Sequence, residues 1–217
     1  MKKLFAPGCA MLIYKPELAE KINNTLGDKY HTEGLYDTCC HHRPETDEPL
    51  EIVNTCPGCD RRYSSLYKGV STISLWEILA SDETFPLPDY KGAVMSVHDA
   101  CPTRKNTKVH DAIRTLAERM NIIIKEPART RTNAVCCGDT FYGKLPAEEV
   151  TAKMKERADE MPCEDVIVYC VSCVHAMQKG GKKAHYMPDL LFGEQTSVKP
   201  ETTEEWHGKI EAFIETH

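Results

Sequence analysis

Ten of the eleven cysteines form two sets of one design: a single cysteine, an adjacent pair, and a pair separated by two residues. The first set is Cys9, Cys39-Cys40 and Cys56-Pro57-Gly58-Cys59; the second is Cys101, Cys136-Cys137 and Cys170-Val171-Ser172-Cys173. Cys163 is left over beside Pro162 at a helix exit and reads as a small buried apolar residue. Adjacent cysteines rarely bridge each other in relaxed geometry, and a reducing compartment keeps thiols free, so metal or redox chemistry is favoured over a disulfide framework. A structural zinc site takes four ligands, which leaves one thiol surplus in each set. An iron–sulfur group, held by thiolates, accounts for a fifth cysteine better. Zinc stays open, especially for the first set.

Both C-x-x-C pairs are expected where a strand gives way to a helix, whose free N–H groups stabilise an anionic sulfur. Charged and polar side chains follow the cysteines in sequence: His41, His42 and Arg43, then Arg61 and Arg62, then Arg104 and Lys105. They are suited to balancing a negative group or holding an anionic substrate.

The elements that position these residues repeat along the chain. Residues 3–9 and 93–101 are short apolar runs ending at a cysteine, as expected of buried strands. Helical stripes follow: Leu18, Ile22 and Leu26 behind Pro16, and Val109, Ala112, Ile113, Leu116, Ala117 and Met120. Strand-like segments then lead to the paired cysteines, over 35–40 and 122–137, and further strands lead to the C-x-x-C pairs, over 52–56 and 166–170. Short apolar and acidic turns, 75–79 and 187–191, close each copy. Fifteen residues separate Cys40 from Cys56 and 32 separate Cys137 from Cys170; the difference is a helix expected over 146–161 and lost from the first half.

Strand–helix alternation with short turns predicts an α/β fold of two tandem, pseudo-repeated parallel units. Ligands of such sheets gather at strand carboxyl ends, where all ten cysteines are expected. The expected divisions are a first unit over 1–84, a complete second unit over 85–192, and a tail over 193–217. Proline-bearing residues 82–92 form the connector. The tail carries a helix with Trp206, Ile210, Phe213 and Ile214 on one side, expected to pack on its own domain.

The chain of 217 residues is 41% hydrophobic and 28% charged, with a formal net charge of −6. That mixture reads as globular, and the charge gives no basis for a nucleic-acid or membrane-surface partner. No apolar stretch approaches the roughly 20 residues of a spanning helix. The segment Met1–Cys9 imitates a lipoprotein signal, but its apolar run is short and broken by Pro7, so a cytoplasmic location is expected.

The pattern C, CCG, CxxC resembles the cysteine-rich CCG-domain family, which includes the B subunit of heterodisulfide reductase and iron–sulfur subunits of glycolate- and lactate-oxidising enzymes. The resemblance covers residues 3–192 as two copies. His98-Asp99-Ala100-Cys101, Cys136-Cys137-Gly138 and Cys170-Val171-Ser172-Cys173 carry it in the second; Pro7-Gly8-Cys9 and Asn54-Thr55-Cys56-Pro57-Gly58-Cys59 carry it in the first. It implies a noncubane [4Fe–4S] cluster on each five-cysteine set, the second more secure than the first. It also implies reduction of a small thiol/disulfide substrate, or electron transfer within a complex. His98, Arg104 and His41 are the candidate catalytic groups, with His42 and His175 as further helpers. His41 departs from the pattern by standing where the second copy has Gly138, as a group that narrows the first site or offers a nitrogen ligand. No ferredoxin-type cysteine run and no flavin or nicotinamide fingerprint occurs, so electrons are expected from a ferredoxin- or flavoprotein-like partner or a small redox carrier. The alternatives are a non-catalytic metal-binding or electron-relay module, and a cysteine-based redox sensor.

Overall fold

The computed structural model describes residues 1–217, except for the side chain of Asp28. Contacts divide the chain into Met1–Ile78 together with Glu204–His217, and Leu79–Thr203.

In the first unit β1 (Lys2–Ala6) leads to the short helix α1 (Cys9–Tyr14) and then α2 (Pro16–Tyr30). The break falls at Lys15, which leaves the helical region with φ −157°, because the ring of the following Pro16 disfavours helical backbone before it. β2 (Leu50–Asn54), α3 (Pro57–Leu66), β3 (Val70–Ser74) and α4 (Leu75–Ser81) follow. The strands form a parallel sheet in the order β1-β2-β3, with Phe5 opposite Val53 and Val53 opposite Ile73. Leu18, Ile22 and Leu26 are buried as the stripe required, together with Phe5, Ile52 and Val53 of the sheet.

In the second unit the order is β4 (Ala93–Val97), α5 (Thr107–Arg119), β5 (Ile122–Ile124), α6 (Ala147–Asp159), β6 (Asp165–Val168), α7 (Val171–Lys179), β7 (Lys183–Tyr186) and α8 (Met187–Leu191). The sheet runs β5-β4-β6-β7, all parallel. Parallel neighbours need a helical crossover and are covered on both faces, which is why Val166, Ile167 and Val168 form an unbroken apolar run, each 0% exposed. Burying each such side chain contributes about 1.5–3 kcal/mol. All six residues of the α5 stripe are buried, and the Asn106 side chain caps its start by accepting from the Val109 N–H.

Two expected strands differ. The segment before Cys39 is reduced to a single bridge between Leu35 and Phe5. Gly34, at φ 145°, interrupts its extended path, although Glu33, Gly34 and Tyr36 still bond to β1. β5 ends at Ile124, so Cys136 and Cys137 arrive on a loop with a tight turn over 131–133. Helix α9 (Thr203–Thr216) brings Phe213 and Ile214 against the core of the first unit, although residues 79–203 separate them in sequence. No helix among the described residues is long and apolar enough to cross a membrane.

Candidate metal centres

In the second unit Cys101 opens a tight turn beyond β4. Cys170 caps α7 and Cys173 lies in its first turn, so β6 delivers the C-x-x-C pair directly. The thiols neighbour one another in the order Cys101, Cys136, Cys137, Cys173, Cys170, each close enough to shift the ionisation of the next. Contacts from Cys101 and Cys137, then from the Thr140 hydroxyl, hold the Cys136 thiol far below its ordinary range, and the Gly138 N–H donates to its sulfur at 3.3 Å. Cys101, Cys137 and Cys173 are pushed up, first by their neighbouring thiols and then by burial. One thiolate inside an array of thiols has the donor chemistry of a metal host.

Two buried groups brace the loop that carries Cys136 and Cys137. Asp99 is 0% exposed and accepts from Arg114 Nη1 and Nη2 at 2.9 and 2.8 Å, from Thr130 Oγ1 at 2.9 Å and from the Arg131 N–H at 2.8 Å. Burial opposes its ionisation, but Arg114 and these donors hold its carboxyl down at about 2. Arg131 adopts φ 54°, and its amide bond to Asp99 offsets the cost of that left-handed backbone. Tyr169 adds a hydroxyl donor at 3.1 Å from the last residue before Cys170. The second brace is His98, also 0% exposed, whose Nδ1 accepts from Arg157 Nε at 3.2 Å. Arg157 reaches onward to the Arg129 carbonyl at 2.9 Å. A nitrogen of His98 and the sulfurs of Cys137 and Cys173 all lie within 4.8 Å of one another, so this cluster could hold a metal ion.

In the first unit Cys9 opens α1, Cys56 caps α3 and Cys59 lies in its first turn. The thiols again meet in series: Cys9, Cys39, Cys40, Cys59, Cys56. Cys40 and Cys9 draw Cys39 down to about 2, while Cys39 pushes Cys40 up to about 12. Cys59 lowers Cys56 to about 7, with help from the Gly58 and Cys59 N–H groups, as a helix start should. Gly8, at φ 81°, passes so close that a Cβ there would lie 3.1 Å from Cys59 Sγ; only glycine serves both needs.

The two sets differ in cover. The Cys39 N–H donates to the His217 carbonyl at 3.0 Å, His42 Nε2 bonds the Ile214 carbonyl at 2.7 Å, and Phe213 and Ile214 pack on the cluster containing Cys39 and Cys40. Arg62 Nε and the Tyr67 hydroxyl both donate to the Cys40 carbonyl. In the second unit Cys136 lines a cavity of about 290 Å³ with Arg104, Arg129, Lys153, Arg157, Glu156 and Glu160 among its walls. A larger shallow groove, about 830 Å³, runs along Lys2 and residues 43–48, and no cysteine lines it.

Of the expected helpers, His98 is buried against the second set and Arg104 is exposed at its cavity, with Nε donating to the Ala134 carbonyl. His41 is exposed next to Cys39, and His42 serves the contact with α9. His175 is buried on α7, 3.6 Å from Glu201. Arg43 lies in the shallow groove. Cys163 is partly buried, its N–H donating to Ser96 Oγ. Gly138, at φ 110°, is fixed by packing: a Cβ there would fall 2.7 Å from Met154 of α6. Asp99, Arg114 and Arg157 were missed as supports of the site. The His-Asp-x-Cys opening was the only sequence signal for Asp99, and the arginines come from helices distant in sequence.

All eleven cysteines are free thiols. Neither a protein-family model nor a curated protein matches this chain.

Proposed function

We propose that the chain is an iron–sulfur oxidoreductase subunit of the heterodisulfide reductase B type, built from two tandem CCG-like copies. The observation that carries this reading is the identical order of thiol contacts in the two units, single cysteine to pair to C-x-x-C. Five free thiols gathered together suit a noncubane [4Fe–4S] group better than a four-ligand zinc site. Cys101, Cys136, Cys137, Cys170 and Cys173 would hold one group; Cys9, Cys39, Cys40, Cys56 and Cys59 would hold the other. When bound, such a group supplies electrons one at a time and an iron that takes a sulfur atom.

The chain's own residues bind and orient. A small disulfide enters beside Cys136, where Arg104 offers a cation to an anionic substituent. Cleavage consumes two electrons and two protons and yields two thiols, the electrons coming from a ferredoxin- or flavoprotein-like partner or a small carrier. The packing of Phe213 and Ile214 on the cluster that holds Cys39 and Cys40 favours an electron-relay role for that group, with substrate chemistry kept to the second.

The test is iron and acid-labile sulfide analysis of anaerobically purified and reconstituted protein. Equal iron and sulfide, lost from one centre when Cys136 or Cys137 is replaced by serine, is expected. Stoichiometric zinc with no iron after reconstitution overturns the proposal.

A further inference from the structure

The cluster of His98, Cys137 and Cys173 looks at first like three ligands for one metal ion. The hydrogen bonding of the ring argues against it. Nδ1 faces the Nε–H of Arg157 at 3.2 Å, and a guanidinium can only donate. Nδ1 is therefore the acceptor, and in a neutral ring the proton sits on Nε2. A histidine that ligates through one nitrogen ordinarily donates from the other to a carboxylate or carbonyl; here that second position is met by a donor. Ligation through Nε2 would demand an imidazolate, and ligation through Nδ1 would displace Arg157.

The Nε2–H group has no hydrogen-bond partner and no exposure to solvent. A buried donor left without an acceptor is unfavourable, and an acceptor on a group bound at this site would satisfy it. The first unit has no histidine at the equivalent position: Ala6 stands three residues before Cys9 as His98 does before Cys101.

We propose that His98 is an N–H donor to sulfur at the second centre, not a ligand: Nε2–H finds its acceptor on a thiolate or inorganic sulfide of the group that Cys137 and Cys173 hold. The inference rests on the iron–sulfur reading for the identity of that acceptor; the tautomer rests on Arg157 alone. A ring protonated on both nitrogens would set its Nδ1–H against the Nε–H of Arg157, so this hydrogen bond requires the neutral ring. A donor to cluster sulfur stabilises the more negative, reduced state, which raises the reduction potential. The second centre is thereby set above a centre of the same kind without the donor.

Two experiments separate this inference from the function it rests on. First, ¹⁵N NMR of the reduced, metal-free full chain, assigned by the loss of signals in His98→Gln, reads the tautomer. A protonated Nε2 with a bare Nδ1 is expected; a proton on Nδ1 overturns the inference. The same chain loaded with ¹¹³Cd should show cadmium bound to sulfur alone, and ¹¹³Cd–¹⁵N coupling to His98 would overturn it. Second, in iron-reconstituted protein, His98→Leu should lower the potential of one of two centres, and His98→Gln, which keeps an N–H, should restore part of it. An unchanged potential with intact iron content sinks the inference but leaves the function standing. Absence of iron and sulfide from the parent protein sinks the function, and with it the sulfur acceptor, whatever the tautomer.

Discussion

Asp99 and Gly138 are the residues on which the second centre's geometry turns, and neither is a thiol. Asp99 accepts from Arg114, Thr130 and the strained Arg131 at once, so removing its charge leaves Arg114 paired with Glu126 alone and weakens the hold on Arg131. Asp99→Asn should cost roughly 1–3 kcal/mol, measured by chemical denaturation of the metal-free chain. The sign with pH follows from the same group. Its carboxyl is held at about 2 in the fold, below an unfolded value near 3.9. The stabilisation is therefore complete above about pH 4 and disappears as pH falls through 2, and the Asn variant should lack that part of the acid transition. Gly138→Ala should cost about 1–3 kcal/mol, because φ 110° and the backbone of Met154 both exclude a Cβ. His41→Gly should change thermal stability little, since His41 is exposed and the first unit has no helix where α6 packs on the second.

At the scale of elements, helix starts do the chemical work and one distant helix supplies the cover. β2 and β6 run into α3 and α7, so each C-x-x-C pair begins where N–H groups are unpaired by the helix. The apolar runs and the Pro57 start made that placement legible in the sequence. The adjacent pairs were less legible. The residues before Cys136 leave β5 twelve positions earlier, and their path is set by Asp99 and Arg157, contacts that no local pattern encodes. Helix α9 is a second case. Its apolar side was visible, but which unit it covers was decided by the fit of Phe213 and Ile214 to the core around Cys39. Deleting residues 204–217 should speed alkylation of Cys39 and Cys40 in the metal-free chain at least several-fold, read by peptide mass spectrometry. Cys137 and Cys173 should react at the parent rate.

For the whole molecule, each unit has a parallel sheet and a core of its own, but they differ in how the chain completes them. Leu79–Thr203 is continuous, whereas Met1–Ile78 is completed by Glu204–His217. A fragment of residues 79–203 should therefore unfold cooperatively by circular dichroism. A fragment of 1–78 should do so only when the 204–217 peptide is supplied. The sequence by itself determined the α/β alternation, the two five-cysteine sets, the helix missing between Cys40 and Cys56, and the glycine at 138, because strand and helix periods and residue spacing are local properties of a chain. Only the tertiary structure decided the series in which the thiols meet, the pairing of His98 with Arg157, the brace at Asp99 and the covering of Cys39 by α9. Each of those depends on groups brought together from distant segments, by burial and hydrogen bonding that exist only once the sheets have closed over their cores.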